Sequence, residues 1–280
     1  MASSSEATGD TSTSVGTSSS GGESSTGEGS SSGEESTGDP GEGIGDLEPD
    51  GLAAAFTFNE ESGDMVPDIT GNGHDATVSG PSSWEEGTLH QIRDGETNGW
   101  TSIPRGSLLD GDWTIQMWFA PHSHANSNHA RAFSASDGLG GRGPEFFYQG
   151  GNLLGFRING DAIWSEPTVG SRSNAGPPDH WAIPTEPMQM DVITDLTIVH
   201  EVAAHRVRMY QSLANDGAPT LIFDGTYVGD YEMVVEDLRL GRTHHDEHTR
   251  PLDGSFDQLL VYDRALSKDE IDHNHGVGTL

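Results

Sequence analysis

The stretch TIVHEVAAHRVRMY, residues 197–210, decides the fold class, because it reads either as a catalytic zinc helix or as a pair of strands. It holds two histidines and a glutamate in the order of the H-E-x-x-H metalloprotease motif. In that motif both imidazoles lie one helical turn apart, and the Glu serves as general base. Here His200 and His205 are five residues apart, which on a helix separates them by about 140°. The flanking residues disfavour a helix as well. LTIVHE, from Leu196, and RVRMYQ, from Arg206, are β-branched or alternating runs, with VAAH between them as a hairpin connection. The zinc reading fails.

Outward from this hairpin, from Gly51 onward, the chain repeats the same pattern. AAAFTF, HDATVS, GWTSIP, WTIQMWF, ARAFSAS, EFFYQ, LLGFRI, TLIFDG, DLRLG and SFDQLLVY all read as short strands, separated by clusters such as DITGNGH, SDGLGGRGP and NAGPP. Many short strands without a long helical period predict an all-β sandwich. In WTIQMWF, Trp113, Ile115, Met117 and Phe119 share one face and Thr114, Gln116 and Trp118 the other, as in a strand with one face on a core. The only helical signal is a single turn in ALSKDEIDH, where Ser267 and Glu270 form an S-x-x-E capping box. The stretch from Ser165 to Met190 is rich in Pro and Gly and reads as a long surface loop, a common setting for binding.

The first 40 residues are of another kind, since 28 of them are Ser, Thr or Gly. Such a segment buries too little apolar surface to offset the entropy of ordering its backbone, so residues 1–50 are expected to form a disordered linker. They carry 11 acidic side chains and no basic one, and self-repulsion should keep them extended. The remaining residues, 51–280, carry the other −21 of the net charge of −32 and suffice for one well-buried domain. So acidic a surface repels phosphate backbones, which excludes nucleic acid as a natural partner. It suits cations, or solubility in salt. There is no cysteine, hence no disulfide or thiol chemistry. No apolar run reaches the roughly 18–20 residues of a membrane span, and no signal peptide precedes the serine tract. Two readings follow, a form stripped of its signal or an intracellular protein; the stalk-like tail favours the first, an extracellular or cell-surface protein with a possible lipid anchor in its native precursor. Tails of this kind resemble the spacers of bacterial surface lipoproteins.

The two ends of the domain carry a resemblance. GLAAAFTFNEESGDMVPDITGNGHDATVSG (residues 51–80) resembles the opening of laminin-G-like, concanavalin A-like lectin/glucanase modules. LRLGRTHHDEHTRPLDGSFDQLLVYDRALSKDEI (residues 238–271) resembles their close, and DWTIQMWFAP their central strand. The resemblance spans residues 51–280 and weakens between 122 and 190. It implies a jelly roll of two stacked antiparallel sheets, and it places His200 in an ordinary sheet position.

It also implies a structural calcium, held by oxygens of Asn59, Asn72 (or a neighbouring carbonyl) and Asp257. Calcium takes six to eight hard oxygens, and the neutral amide of Asn59 would weaken such a site. The blander role is that Asp257 and Asp68 bond turn amides. Histidine is the second candidate chemistry. His122, His124 and His129 follow the strand ending at Phe119, and His244, His245 and His248 precede the last strand. If those strands pair antiparallel, both loops share one end of the sandwich and could hold a transition metal. Exposed loop histidines with no fixed geometry are the alternative. Aromatic stacking on sugars is the third. Trp164 and Trp181 flank the irregular loop, and Trp118 lies on the outer face of its strand, against the common role of tryptophan as core filler.

No E-x-D-x-x-E strand of retaining glycosidases, no G-x-S-x-G elbow, no P-loop and no dinucleotide fingerprint occurs. The expected function is therefore non-catalytic recognition, most naturally of a glycan. A protein-binding adhesion module is the alternative, and a hydrolase with a site hidden from sequence motifs is the third. The fold alone does not choose among them.

Overall fold

The computed structural model describes residues 46–94, 97–123, 129–137, 141–149, 153–159, 162–172, 181–213, 217–244 and 250–278. Of the expected linker only Asp46 to Asp50 fall within them. Leu47, on the linker side of that boundary, is buried.

The alternating runs become strands in chain order: β1 (Leu52–Phe56), β2 (Met65–Val66), β3 (Ala76–Ser79), β4 (Ser82–Glu85), β5 (Thr88–Gln91), β6 (Arg93–Asp94), β7 (Thr97–Asn98), β8 (Trp100–Pro104) and β9 (Trp113–Pro121). The middle of the chain adds β10 (Ala130–Ser134), β11 (Arg142–Gln149), β12 (Leu153–Asn159), β13 (Ile163–Trp164), β14 (Ser171–Arg172) and β15 (Ala182–Ile183). Then follow β16 (Thr194–Glu201), β17 (Arg206–Leu213), β18 (Thr220–Val228), β19 (Asp237–Leu240), β20 (Gly254–Tyr262) and the helix α1 (Lys268–Val277). No helix among the described residues is long and apolar enough to cross a membrane.

Two antiparallel sheets form a jelly-roll-like sandwich. The first runs β13-β18-β17-β16-β9-β20-β5-β4, with β1 beside β20; the second runs β14-β15-β12-β11-β10-β19-β8-β3-β2. Between them lies the core predicted for β9: Trp113, Ile115, Met117 and Phe119 pack with Phe146 and Tyr148 of β11 and Phe156 of β12. Phe119 meets Phe146 edge-on at 6.1 Å between ring centres. The 197–210 stretch is a hairpin, paired from Thr194 opposite Leu213 to Glu201 opposite Arg206. His200 is fully buried, bonds the Tyr227 hydroxyl at 2.8 Å, and packs against Trp113 and Tyr231. Burial, reinforced by nearby His205, pushes its imidazole down to about 3, so it is neutral near pH 7.

One expectation changes. The outer side of β9 is covered too, because all nine of its residues are buried. The cover is α1, which runs for ten residues rather than a single turn. Its capping box is complete: Ser267 Oγ accepts the Glu270 amide at 3.3 Å, and Glu270 Oε2 accepts the Ser267 amide at 2.6 Å. Its length comes from docking rather than propensity. Asn274 donates to Gln116 Oε1 and the Tyr262 hydroxyl at 3.2 and 2.9 Å, and His275 bonds Asp195 at 2.8 Å. Leu47, Ala55, Trp118, Leu260, Leu266 and Ile271 form a second, smaller apolar cluster on this side.

Candidate functional site

The outer face of the second sheet is built differently. Alternation along β11 sends Phe146 and Tyr148 into the core and leaves Glu145 and Phe147 on the opposite face. Register then places Glu145 opposite Arg157 of β12 and Ser134 of β10, and Phe147 opposite Gly155 and Arg131. Glu145 Oε2 accepts from Arg131 at 3.0 Å and from Arg157, and Oε1 accepts from the Ser134 hydroxyl at 3.3 Å. Burial alone would raise this carboxyl, but the Arg131 and Arg157 charges outweigh it and hold Glu145 below its ordinary value. The Arg131 guanidinium lies 4.8 Å from the centre of the Phe147 ring, close enough for cation–π attraction. Gly155 is needed here: a Cβ would fall 2.2 Å from the Phe147 ring.

An aromatic corner stands over this network. Trp181 meets His129 and Phe147 edge-on at 4.5 and 5.1 Å, and Arg250 bonds His129 Nδ1 at 3.1 Å. Further along the face, Arg239 and Arg242 lie 4.7 and 5.1 Å over the Trp100 ring. Asp237 takes bonds from Ser102, Arg239 and His244. These bonds overcome its partial burial and keep its carboxyl well below the usual range. Arg131, Arg157, Arg239, Arg242 and Arg250, five of the chain's twelve arginines, thus gather on one side of a strongly acidic protein.

Only one of the three tryptophans proposed for stacking is available. Trp118 is 0% exposed beneath α1, and Trp164 is 1% exposed, packed against Phe156, Phe223 and Tyr227. Around Trp164 the described residues of the 165–190 segment bond both sheets, Ser165 and Thr168 to Thr226 and Asp224 of β18, and β15 to β12. Trp181, at intermediate burial, remains.

The described histidines each bond their own partners. His122 sits between Asp191 and Ser255, His129 against Trp181 and Arg250, and His244 against Asp237. His124, His245 and His248 lie outside the described residues. Among the described residues no group of three or more His, Asp and Glu has the geometry to hold a metal.

Of the calcium candidates, Asn72 turns its amide nitrogen to the Ala53 carbonyl at 3.0 Å. Asp68 binds the Ala55 and Thr70 amides at 3.1 Å each, and Ile69 N–H reaches Ala55 O at 3.0 Å, so this loop lines the outer side of β1. Asn59 and Asp257 are different. Pairing of β1 with β20, with Phe56 opposite Leu259, carries both to one end of the strand pair. Asn59 Oδ1 accepts from the Thr57 hydroxyl at 2.9 Å. Burial raises the Asp257 carboxyl to about 6, and it also raises Glu60, next to Asn59 in the chain, whose Oε2 is buried without a hydrogen-bond partner.

The arginine–glutamate floor was not anticipated from sequence. Its signal is a charge inside each of three apolar runs, ARAF, PEFF and GFRI.

Two stacked antiparallel sheets closed over one apolar core define a jelly roll. A family model described as the concanavalin A-like lectin/glucanases superfamily matches residues 94–272, and the chain belongs to that family. No curated protein matches the sequence. Solved structures share the fold at low identity. A sialidase of Trypanosoma rangeli is 14% identical at a TM-score of 0.58, over 80% of this chain and 32% of that one. The binding domain of botulinum neurotoxin DC, in complex with rat synaptotagmin II, is 8% identical at 0.54, over 81% and 51%. Botulinum neurotoxin type C, whose cell entry depends on interaction with two ganglioside molecules, is 9% identical at 0.54, over the same shares. The chain therefore spans about a third to a half of these proteins.

Proposed function

We propose that the domain is an extracellular recognition module that binds a glycan, without acting on it, on the outer face of its second sheet, with Trp181 as the stacking platform. The observation that carries this reading is the corner of Trp181, His129 and Phe147 over the Arg131–Glu145–Arg157 network. Sugars offer an apolar ring face to an aromatic side chain and hydroxyls to polar groups; half-buried Trp181 supplies the first and half-buried His129 and Arg250 beside it the second, above the buried network. A sialidase and a neurotoxin whose cell entry depends on two ganglioside molecules share this fold, which supports the reading. Trp181→Ala should weaken binding to the preferred class on a glycan array by about tenfold or more, equivalent to the roughly 1.5 kcal/mol of one buried aromatic contact. An unchanged profile would reject this face. The second reading, a protein-binding adhesion module, is favoured by the synaptotagmin II complex of one neighbour. It requires affinity for a protein and indifference to Trp181→Ala.

Calcium fits the Asn59–Asp257 end of the strand pair, where Asp257 and Glu60 offer oxygens without a cation among the described residues. There it would neutralise buried carboxylates and stiffen the rim, with Asn72 left to its carbonyl. The pH signature has a definite sign. Because the folded Asp257 titrates at about 6, above its ordinary 3.8, its favourable contribution is complete below about 4 and lost as pH rises through 6. In EDTA the wild type should gain melting temperature from pH 7 to pH 5 relative to Asp257→Asn. Calcium at about a hundred times its Kd should raise the pH 7 melting temperature by about 5–10 °C. Scanning fluorimetry showing no shift up to millimolar calcium would remove the metal.

A further inference from the structure

A pocket of about 560 Å³ opens on the first sheet beside the β4–β5 hairpin and the end of β9. Its walls include Glu85, Glu86, Thr88 and Ile193, and its floor holds three side chains in sequence. The Ser255 hydroxyl lies 2.7 Å from His122 Nε2, and His122 Nδ1 lies 2.8 Å from Asp191 Oδ1. We propose that Ser255, His122 and Asp191 form a nucleophile, base and orienting carboxylate that hydrolyse neutral or cationic acyl esters.

The proton positions follow from the partners. An ionised carboxylate only accepts, so Nδ1 carries the hydrogen that faces Asp191. Nε2 of the neutral ring is then bare and accepts from Ser255, the tautomer that a general base needs.

The backbone holds each member in place. The His122 amide donates to Asp253 O at 2.8 Å. Asp191 sits at φ +57, a left-handed conformation that Asp tolerates better than most residues, with its amide on Pro121 O at 2.9 Å. Gly254 lets β20 close on β9 next to Ser255, since a Cβ there would lie 2.6 Å from Ala120 O. Behind the site His90, opposite Ser255 in register, meets the His122 ring edge-on at 4.9 Å and bonds Asp253 at 3.0 Å.

The chemistry balances without a cofactor. Ser255 Oγ attacks the acyl carbonyl while its proton moves to His122 Nε2, and collapse of the tetrahedral adduct expels the alcohol, which takes that proton. Water then attacks the acyl-serine, His122 removes its proton, and the carboxylic acid leaves as Ser255 is reprotonated. Asp191, with Glu85 and Asp253 nearby, favours the imidazolium formed midway. The same carboxylates repel anionic esters, which sets the substrate class.

The test uses the full chain, a fluorophosphonate probe and p-nitrophenyl acetate, an activated ester that demands least of the oxyanion environment. Peptide mass spectrometry should find the probe on Ser255, and ester turnover should exceed the uncatalysed rate. Ser255→Ala and His122→Ala should abolish both, and Asp191→Asn should lower kcat at least about tenfold by favouring the wrong tautomer. All three variants should keep the wild-type near-UV circular dichroism. An unlabelled Ser255 in folded wild type, or labelling that survives His122→Ala, overturns the proposal.

Discussion

Replacing Glu145 by Ala should destabilise the sandwich by about 3–5 kcal/mol, because it strands two buried cations without a counter-charge. Arg131 and Arg157 are 2% and 5% exposed, and their shared partner is 0% exposed. Burial already pulls the Arg131 guanidinium below its ordinary value, with the Glu145 charge opposing that shift. A loss of this size is a large part of the roughly 5–15 kcal/mol that holds a typical domain folded. Urea denaturation of Glu145→Ala and wild type measures it. The joint variant Arg131→Met/Glu145→Leu/Arg157→Met should regain most of the lost stability, since apolar groups of similar volume replace buried ion networks at little cost. It should nevertheless lose glycan binding if the arginines shape the Trp181 corner. A stability loss under about 1 kcal/mol in Glu145→Ala would show that water reaches this network freely.

Trp118→Ala is the second large effect, at about 3–5 kcal/mol for a fully buried tryptophan. The ring lies between β9 and the C-terminal helix, close enough that a Cβ on Gly278 would fall 2.4 Å from it. Its removal takes away the largest apolar surface of the smaller cluster, so hydrogen exchange should accelerate in α1 more than in β16. The polar contacts of α1 to Asp195 and Gln116 remain and should keep the helix docked at low denaturant. Trp118→Phe should cost less than half as much. Equal acceleration in α1 and β16 would mean that helix and sheet open as one unit.

The strands were legible because their signal is local. Alternation in WTIQMWF and turn residues between runs needed no tertiary knowledge, and even the 197–210 hairpin was separable from a zinc helix by spacing alone. Which face of a strand is open was not legible. Trp118 has an outward position in β9, yet the chain's own C-terminus lies on it, and a capping box announces where a helix starts but not what it docks against. The β4–β5 hairpin also went unread. Its SSWE and TLHQ runs are polar, and the turn signal was Glu86-Gly87, both at positive φ as a two-residue hairpin loop requires. That omission hid the wall of the His122 pocket. The charges in ARAF, PEFF and GFRI were visible individually, but only register brings Arg131, Glu145 and Arg157 together.

The loop that lines β1 has a consequence for how partners can attach. Asp68, Ile69 and Asn72 occupy the amide and carbonyl groups that β1 would otherwise turn outward. Along β18, Ser165, Thr168, Val169 and Thr185 do the same in single rungs. The second sheet ends on the two-residue strands β2 and β14, and the remaining margin, β4, carries Glu85. Among the described residues, then, no long open margin is left for another chain to join by backbone pairing. Strand addition is thereby closed both to fibril growth and to ligand capture. What this domain recognises must be read by side chains.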